Sequence, residues 1–229
     1  MPATPTFESV LEAADDGATH REVERLLRMA DWTPCGAGDW AVALAAPGAD
    51  VVARISPFDP VGPYTARLYE EAAATGLTPR LIAHRRLTGG GDLQVMERLR
   101  PVPPVQATEF LGRLGDGEQR LGGLGAIVRR IHAEALRELP WCGPLDHNPA
   151  NVMQTRDGRL VLTDPYYADG PDLYATAARD PDAVVAAIPE HLRRYMTEIP
   201  LAESGPWDPQ EQAAIRENLR LADERARWA

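Results

Sequence analysis

The chain has 229 residues, 34 acidic against 24 basic, for a formal net charge of −10 at pH 7; its 44% hydrophobic and 25% charged residues are those of a globular protein of one large or two small domains and argue against wholesale disorder. Every basic residue is Arg and no Lys occurs, which excludes Schiff-base chemistry and a Walker A phosphate loop; a GC-rich coding bias, visible in the abundant Ala, Gly and Pro, is the simplest source of that absence. The acidic balance disfavours nucleic-acid backbones and anionic membrane surfaces as partners and is compatible with a cationic substrate.

In chain order, Thr19 with Glu22 three residues on forms a capping-box pattern, and Val23, Leu26, Leu27 and Ala30 fall on one stripe, so the first 31 residues read as mostly helical. Trp40 to Ala45 and Val51 to Ile55 read as a β-hairpin around Pro47-Gly48-Ala49-Asp50. A helix is expected over Tyr64 to Thr75, ended by Gly76, then strands Arg80 to Leu87 and Leu93 to Glu97 about Gly89-Gly90-Gly91. Pro101-Val102-Pro103-Pro104 is stiff and unsuited to continuing a sheet or a helix, so residues 1–100 are expected to form a first unit, 101–106 a hinge and 107–229 a second. Leu121, Leu124, Ile127, Val128 and Ile131 predict a core helix ending near Leu139-Pro140. A hairpin of Asn151 to Thr155 and Arg159 to Thr163 turns at Arg156-Asp157-Gly158, and the remainder reads as helical, with Asp208 capping the last helix.

The two cysteines, Cys35 and Cys142, lie far apart without a CxxC partner, so reduced thiols are expected rather than a disulfide framework or a structural zinc site. Neither a basic leader segment nor an apolar run near the roughly 18 residues of a membrane span is seen, and the expected location is cytoplasmic.

Chemistry concentrates in Leu145-Asp146-His147-Asn148-Pro149-Ala150-Asn151 and, past the second hairpin, Thr163-Asp164-Pro165. A hairpin returns the chain on itself, so Asn151 and Asp164 lie close together and offer hard oxygens suited to Mg²⁺. Asp146, five residues before Asn151, reaches the same place and can accept a proton from a hydroxyl. His132 and His147 have no ligand-spaced partner and read as structural. Asp169, Asp172, Asp180 and Asp182 read as a solvated acidic face or as a wall that attracts a cationic acceptor.

The Asp-x4-Asn, hairpin, Asp order resembles the catalytic and metal loops of the protein-kinase-like fold, and the Asn-Pro-Ala-Asn run with the Asp-Pro ending is most similar to the aminoglycoside phosphotransferase and choline kinase branch. The likeness covers roughly residues 34 to 167. It implies an α+β, two-lobed fold with a sheet-bearing N-lobe and a mostly helical C-lobe. It further implies Asp146 as catalytic base, with Asn151 and Asp164 as catalytic Mg²⁺ ligands. Gly36 and Gly38 resemble a phosphate-approaching glycine loop, Arg54 stands where the family carries a phosphate-binding Lys, and Glu70 rather than Glu71 would be its ion-pair partner. Gln94 to Leu99 looks like the strand that runs into an adenine-binding hinge, which brings in the backbone of Glu97 and Leu99. The implied cofactors are ATP and Mg²⁺. The implied reaction moves the γ-phosphate to a hydroxyl of a small cationic molecule, such as an aminoglycoside-like or peptide antibiotic, in resistance or biosynthesis. Pro144 stands where the branch usually has His, and Arg54 replaces Lys. These departures and the missing Lys motivate one alternative, a pseudokinase that binds nucleotide or a partner without turnover; another, a minimal Ser/Thr kinase acting on protein, shares every motif above.

Overall fold

The structure is a computed structural model that describes residues 6–115 and 121–228. It begins with two helices, α1 (Phe7–Asp15) and α2 (His20–Met29). The capping box forms as the sequence predicts: Glu22 N–H donates to the Thr19 hydroxyl, and Thr19 N–H donates to the Glu22 carboxylate at 2.8 Å. Two N–H groups that a helix start leaves unpaired are thereby satisfied.

Five antiparallel strands follow, β1 (Thr33–Ala37), β2 (Val42–Ala45), β3 (Val51–Ser56), β4 (Leu81–Arg86) and β5 (Asp92–Glu97), in the order β1-β2-β3-β5-β4. Helix α3 (Gly62–Glu71) lies between β3 and β4 in sequence. Because side chains alternate along a strand, Ala53, Ile55, Leu93 and Val95 pack on Val10, Val23 and Leu27 of the first two helices. Val52 and Met96 face the other way and join Leu68 and Tyr69 of α3 in a second core.

The second half holds β6 (Arg100–Pro101), α4 (Pro104–Gly115), α5 (Gly122–Glu138), β7 (Val152–Gln154) and β8 (Leu160–Leu162). Leu124, Val128 and Ile131 carry α5 into the core shared with α3. The prolines at 101 and 104 do not sit outside regular structure as expected. Pro101 lies on β6, the edge of a three-stranded sheet ordered β6-β7-β8, where a missing N–H is tolerated. Pro104 is the first residue of α4, where the N–H has no intrahelical partner anyway.

Helices α6 (Gly170–Arg179), α7 (Pro181–Ala187), α8 (Glu190–Arg193) and α9 (Pro209–Trp228) complete the chain. They return to the first half: Phe58, with Trp40 beside it, is buried among Leu173, Met196, Ile199 and Ile215. Glu198 pairs with Arg21 at 2.7 Å and with His20 at 3.2 Å. The strand order, the helix after β3 and the helical second half agree with the α+β, protein-kinase-like architecture expected from the sequence.

The turn between β4 and β5 shows why glycine repeats there. Gly89 and Gly90 have φ of +85° and +93°, and a Cβ would strike the Tyr195 ring at Gly89 and the Leu192 carbonyl at Gly90. Gly90→Ala is therefore expected to destabilise the protein by at least ~2 kcal/mol, because it strains the backbone and separates the turn from α8. Gly38→Ala, where a Cβ meets nothing within 4 Å, is expected to stay within ~0.5 kcal/mol of the parent; urea denaturation of both compares them.

Candidate active site

The hairpin of β7 and β8 brings its two flanking loops together. Asp146 N–H donates to the Pro165 carbonyl at 2.9 Å, and Thr163 N–H donates to the Asn151 carbonyl at 2.7 Å. Asp146 Oδ1 accepts from Asn148 N–H at 2.8 Å, which folds the loop back on itself, and Asn148 Oδ1 in turn accepts from Ala150 N–H at 3.0 Å. The Asn151 amide donates from Nδ2 to Asp146 Oδ2 at 2.8 Å and to the Asp164 carbonyl at 3.1 Å. Among the described residues its Oδ1 has no hydrogen-bond partner. Asp164 adopts φ +38°, a left-handed conformation that Asp tolerates better than most residues, and its N–H donates to the buried Tyr69 hydroxyl at 3.3 Å. Asp146, Asn151 and Asp164 are thus one connected group.

Arg54 of β3 faces that group. Its Nε lies 3.4 Å from Asp164 Oδ2 and its Nη1 2.8 Å from Asp59 Oδ2. Glu70, expected as its partner, is exposed on α3 and takes no part; Glu71 pairs with Arg67 at 2.6 Å and with Arg130. The reason is local: the chain from Ser56 to Gly62 is short, so Asp59 meets the guanidinium before the helix begins. Asp59 also accepts from Val61 and Gly62 N–H at 3.1 and 2.8 Å. Behind it Asp92, with no exposed surface, binds His84 Nε2 at 2.8 Å, Arg86 Nη1 at 3.0 Å and Gln94 Nε2 at 2.9 Å. A Cβ on Gly62 would lie 2.6 Å from the Asp92 carboxyl carbon, so only glycine fits there. Asp59, Asp92, His84 and Tyr69 escaped the sequence reading. An Asp-Pro pair just ahead of a helix and an acid opening an apolar strand were the available signals.

These groups open on a cleft of about 960 Å³, lined by Gly36, Gly38, Arg54, Glu97, Leu99, Asp146, Asn151 and Asp164 among others. Gly36 lies within β1 and only Gly38 in the turn, where Gly38 N–H donates to the Ala41 carbonyl at 3.0 Å, so the expected loop is a tight turn. At the far end, the N–H groups of Glu97 and Arg98 are taken by the Arg80 and Asp50 carbonyls, leaving the Leu99 backbone without a partner among the described residues. Seven carboxylates and three Arg line the cleft. Asp169, Asp172, Asp180 and Asp182 do not line it: Asp169 and Asp180 cap α6 and α7, and Asp182 pairs with Arg225. His132 binds the Gly143 carbonyl at 2.8 Å and stacks on Tyr166, a structural role, while His147 is exposed. Cys35 is exposed on β1 at the cleft edge, Cys142 is half-buried, and both are free thiols.

No helix among the described residues is long and apolar enough to cross a membrane. No family model and no curated protein matches the sequence. Among solved structures, the chain is similar to the bifunctional kinase-methyltransferase WbdD at 11% identity and a TM-score of 0.33, over 84% of this chain and 45% of WbdD. It thus spans less than half the length of that protein. It is also similar to the PknI kinase domain of Mycobacterium tuberculosis, at 16% identity and a TM-score of 0.29 over 84% of this chain and 93% of that one. A third is a thermostable mutant of aminoglycoside phosphotransferase APH(4)-Ia in ternary complex with AMP-PNP and hygromycin B, at 16% identity and a TM-score of 0.32 over 86% and 94%. Likenesses of this size assign no activity or substrate; the fold rests on the chain's own topology.

Charge in the cleft wall follows from burial and pairing. Burial works against the Arg54 charge, but Asp164 and Asp59 outweigh it and hold the guanidinium protonated. Burial pushes the Asp59 carboxyl up, against the pull of Arg54. For Asp92 burial also pushes up, but the hydrogen bond and charge of His84, then Arg86 and Arg54, hold the carboxyl below its ordinary value. A carboxyl lowered on folding stabilises the protein fully above its unfolded value and ceases to do so as pH falls through the lowered one. Asp92→Asn is therefore expected to lower stability at pH 7 and to flatten the decline as pH falls below about 4, read from denaturation midpoints across a pH series.

Proposed function

We propose that this protein is a phosphotransferase that moves the γ-phosphoryl group of ATP, held with Mg²⁺, to a hydroxyl of a small cationic molecule. The observation that carries this reading is the joining of Asp146, Asn151 and Asp164 into one group directly opposite Arg54. The donor set fits the metal. Asp164 carboxylate and Asn151 Oδ1 are hard oxygens, and among the described residues no group of three His, Cys, Asp or Glu could hold an ion by itself. An ion held by these two would take its other ligands from phosphate and water, as Mg²⁺ does. When bound, Mg²⁺ supplies positive charge to the phosphate oxygens.

Within that frame Asp146 accepts the hydrogen bond of the acceptor hydroxyl and takes its proton as the oxygen attacks phosphorus. Its second bond, to the Asn151 amide, fixes the carboxylate plane. Arg54 holds a phosphate oxygen, and the backbone at Leu99 offers polar groups to a base at the other end of the cleft. The excess of carboxylates in the lining favours a cationic acceptor by field as well as by contact.

A second reading, nucleotide binding without transfer, is favoured by one observation: the Arg54 charge is already shared between Asp59 and Asp164. Mg²⁺-dependent ATP consumption, measured with a panel of hydroxylated cationic antibiotics and generic protein acceptors, separates the two. Acceptor-dependent turnover is expected, reduced at least ~100-fold by Asp146→Asn with ATP binding retained, and abolished by EDTA. Asp164→Ala is expected to remove the Mg²⁺ dependence of nucleotide binding as well. Turnover only with protein acceptors would make it a protein kinase. Binding without turnover would establish the second reading, and near-normal transfer by Asp146→Asn would refute the assignment of the base.

A further inference from the structure

The chemistry above does not use Asp59, yet this carboxylate is 2% exposed and sits against the cleft cation. Its polar groups are held from β3, from the start of α3 and from the β4–β5 hairpin. Oδ2 accepts from Arg54 Nη1 at 2.8 Å, and Oδ1 from the N–H groups of Val61 and Gly62. Its own N–H donates to the Gly90 carbonyl at 3.1 Å, and its carbonyl accepts from Arg86 Nη1 at 2.7 Å. The preceding Phe58 is buried in the core built with the C-terminal helices, and Ser56 Oγ donates to the Phe58 carbonyl at 2.8 Å. A residue held at so many points has one place to be.

Arg54 takes its orientation from this anchor. With Nη1 bonded to Asp59 and Nε 3.4 Å from Asp164, Nη2 makes no hydrogen bond to a described residue, and the side chain lines the cleft. A lysine ammonium has three donors but gathers them on one atom, so it lacks the planar fork that spans two separate carboxylates with a fixed orientation.

We infer that Asp59 is the positioning residue that orients Arg54 toward the phosphates, from the loop ahead of α3 and not from α3 itself. The inference rests on the phosphotransferase reading. Its consequence is that the cation is set through the N-terminal end of α3 and not by the acids of that helix, Glu70 and Glu71, which are turned to solvent and to Arg67 and Arg130.

The test is calorimetric titration with MgATP and, separately, with adenosine, which has no phosphate. The proteins are the wild type, Asp59→Asn, Arg54→Ala, the double variant and Arg54→Lys. Asp59→Asn keeps an acceptor for Val61 and Gly62 N–H. It is expected to weaken MgATP at least about tenfold, leave adenosine affinity unchanged, and add nothing in the Arg54→Ala background. Arg54→Lys, which does not depend on the folding of an Asp59 variant, is expected to weaken MgATP similarly. Equal losses for MgATP and adenosine, no loss at all, additive effects in the double variant, or wild-type MgATP affinity in Arg54→Lys would each overturn the positioning role and leave the phosphotransferase reading standing. A wild type that binds neither ligand would overturn both.

Discussion

Burying a charge in a protein interior is tolerated only when it is paired and its remaining hydrogen-bonding capacity is filled, and the rest of this structure is arranged around two such charges, Asp59 and Asp92, and the half-buried Arg54 beside them. Arg54, Asp59 and Asp92 lie within the contact of β3, β5 and the start of α3, joined by His84 and Arg86 from β4. Removing a cation would leave a buried carboxylate short of a partner, so the cluster ties three strands to one helix in a single register. Gly62 is part of the same constraint, since a side chain there would occupy the space of the Asp92 carboxylate.

That cluster sets one wall of the cleft, and the β7–β8 hairpin sets the other. The two walls meet through Asp164, which touches Arg54 from one side and the Asn151 amide, through its carbonyl, from the other. In the proposed reading the Asp164 carboxylate takes a cation while Arg54 takes a phosphate oxygen, each neutralising what the other leaves over.

The C-terminal segment has a part in the cleft as well. Asp39, in the turn between β1 and β2, accepts from the N–H groups of Glu203 and Ser204, both at 2.8 Å, and from the Ser204 hydroxyl, while its carbonyl accepts from Leu201 N–H at 2.9 Å. Burial pushes the Asp39 carboxyl up, but these bonds outweigh it and hold it below its ordinary value. The turn at Gly38 is thus tied to the far end of the chain, and Glu203 adds a carboxylate to the cleft lining.

Much was legible in the residues alone. Capping at Thr19 and Asp208, the hairpin at Asp157-Gly158 and the stripe of α5 are set by interactions a few residues apart, which a sequence displays directly. The meeting of Asp146, Asn151 and Asp164 followed from a hairpin, itself a local object. What the sequence could not decide was which acid meets Arg54: Glu70 and Glu71 are plausible by spacing, and the choice of Asp59 depends on the length of the 57–61 connection and on Gly90 and Arg86 holding it from another hairpin. Likewise Asp169, Asp172, Asp180 and Asp182 look the same in sequence as the acids that line the cleft. Local rules settle elements and caps because their partners are neighbours in the chain; Asp59 is near Arg54 in the chain too, but it is fixed there by Gly90 and Arg86, more than twenty positions away, which only the packed fold brings into contact.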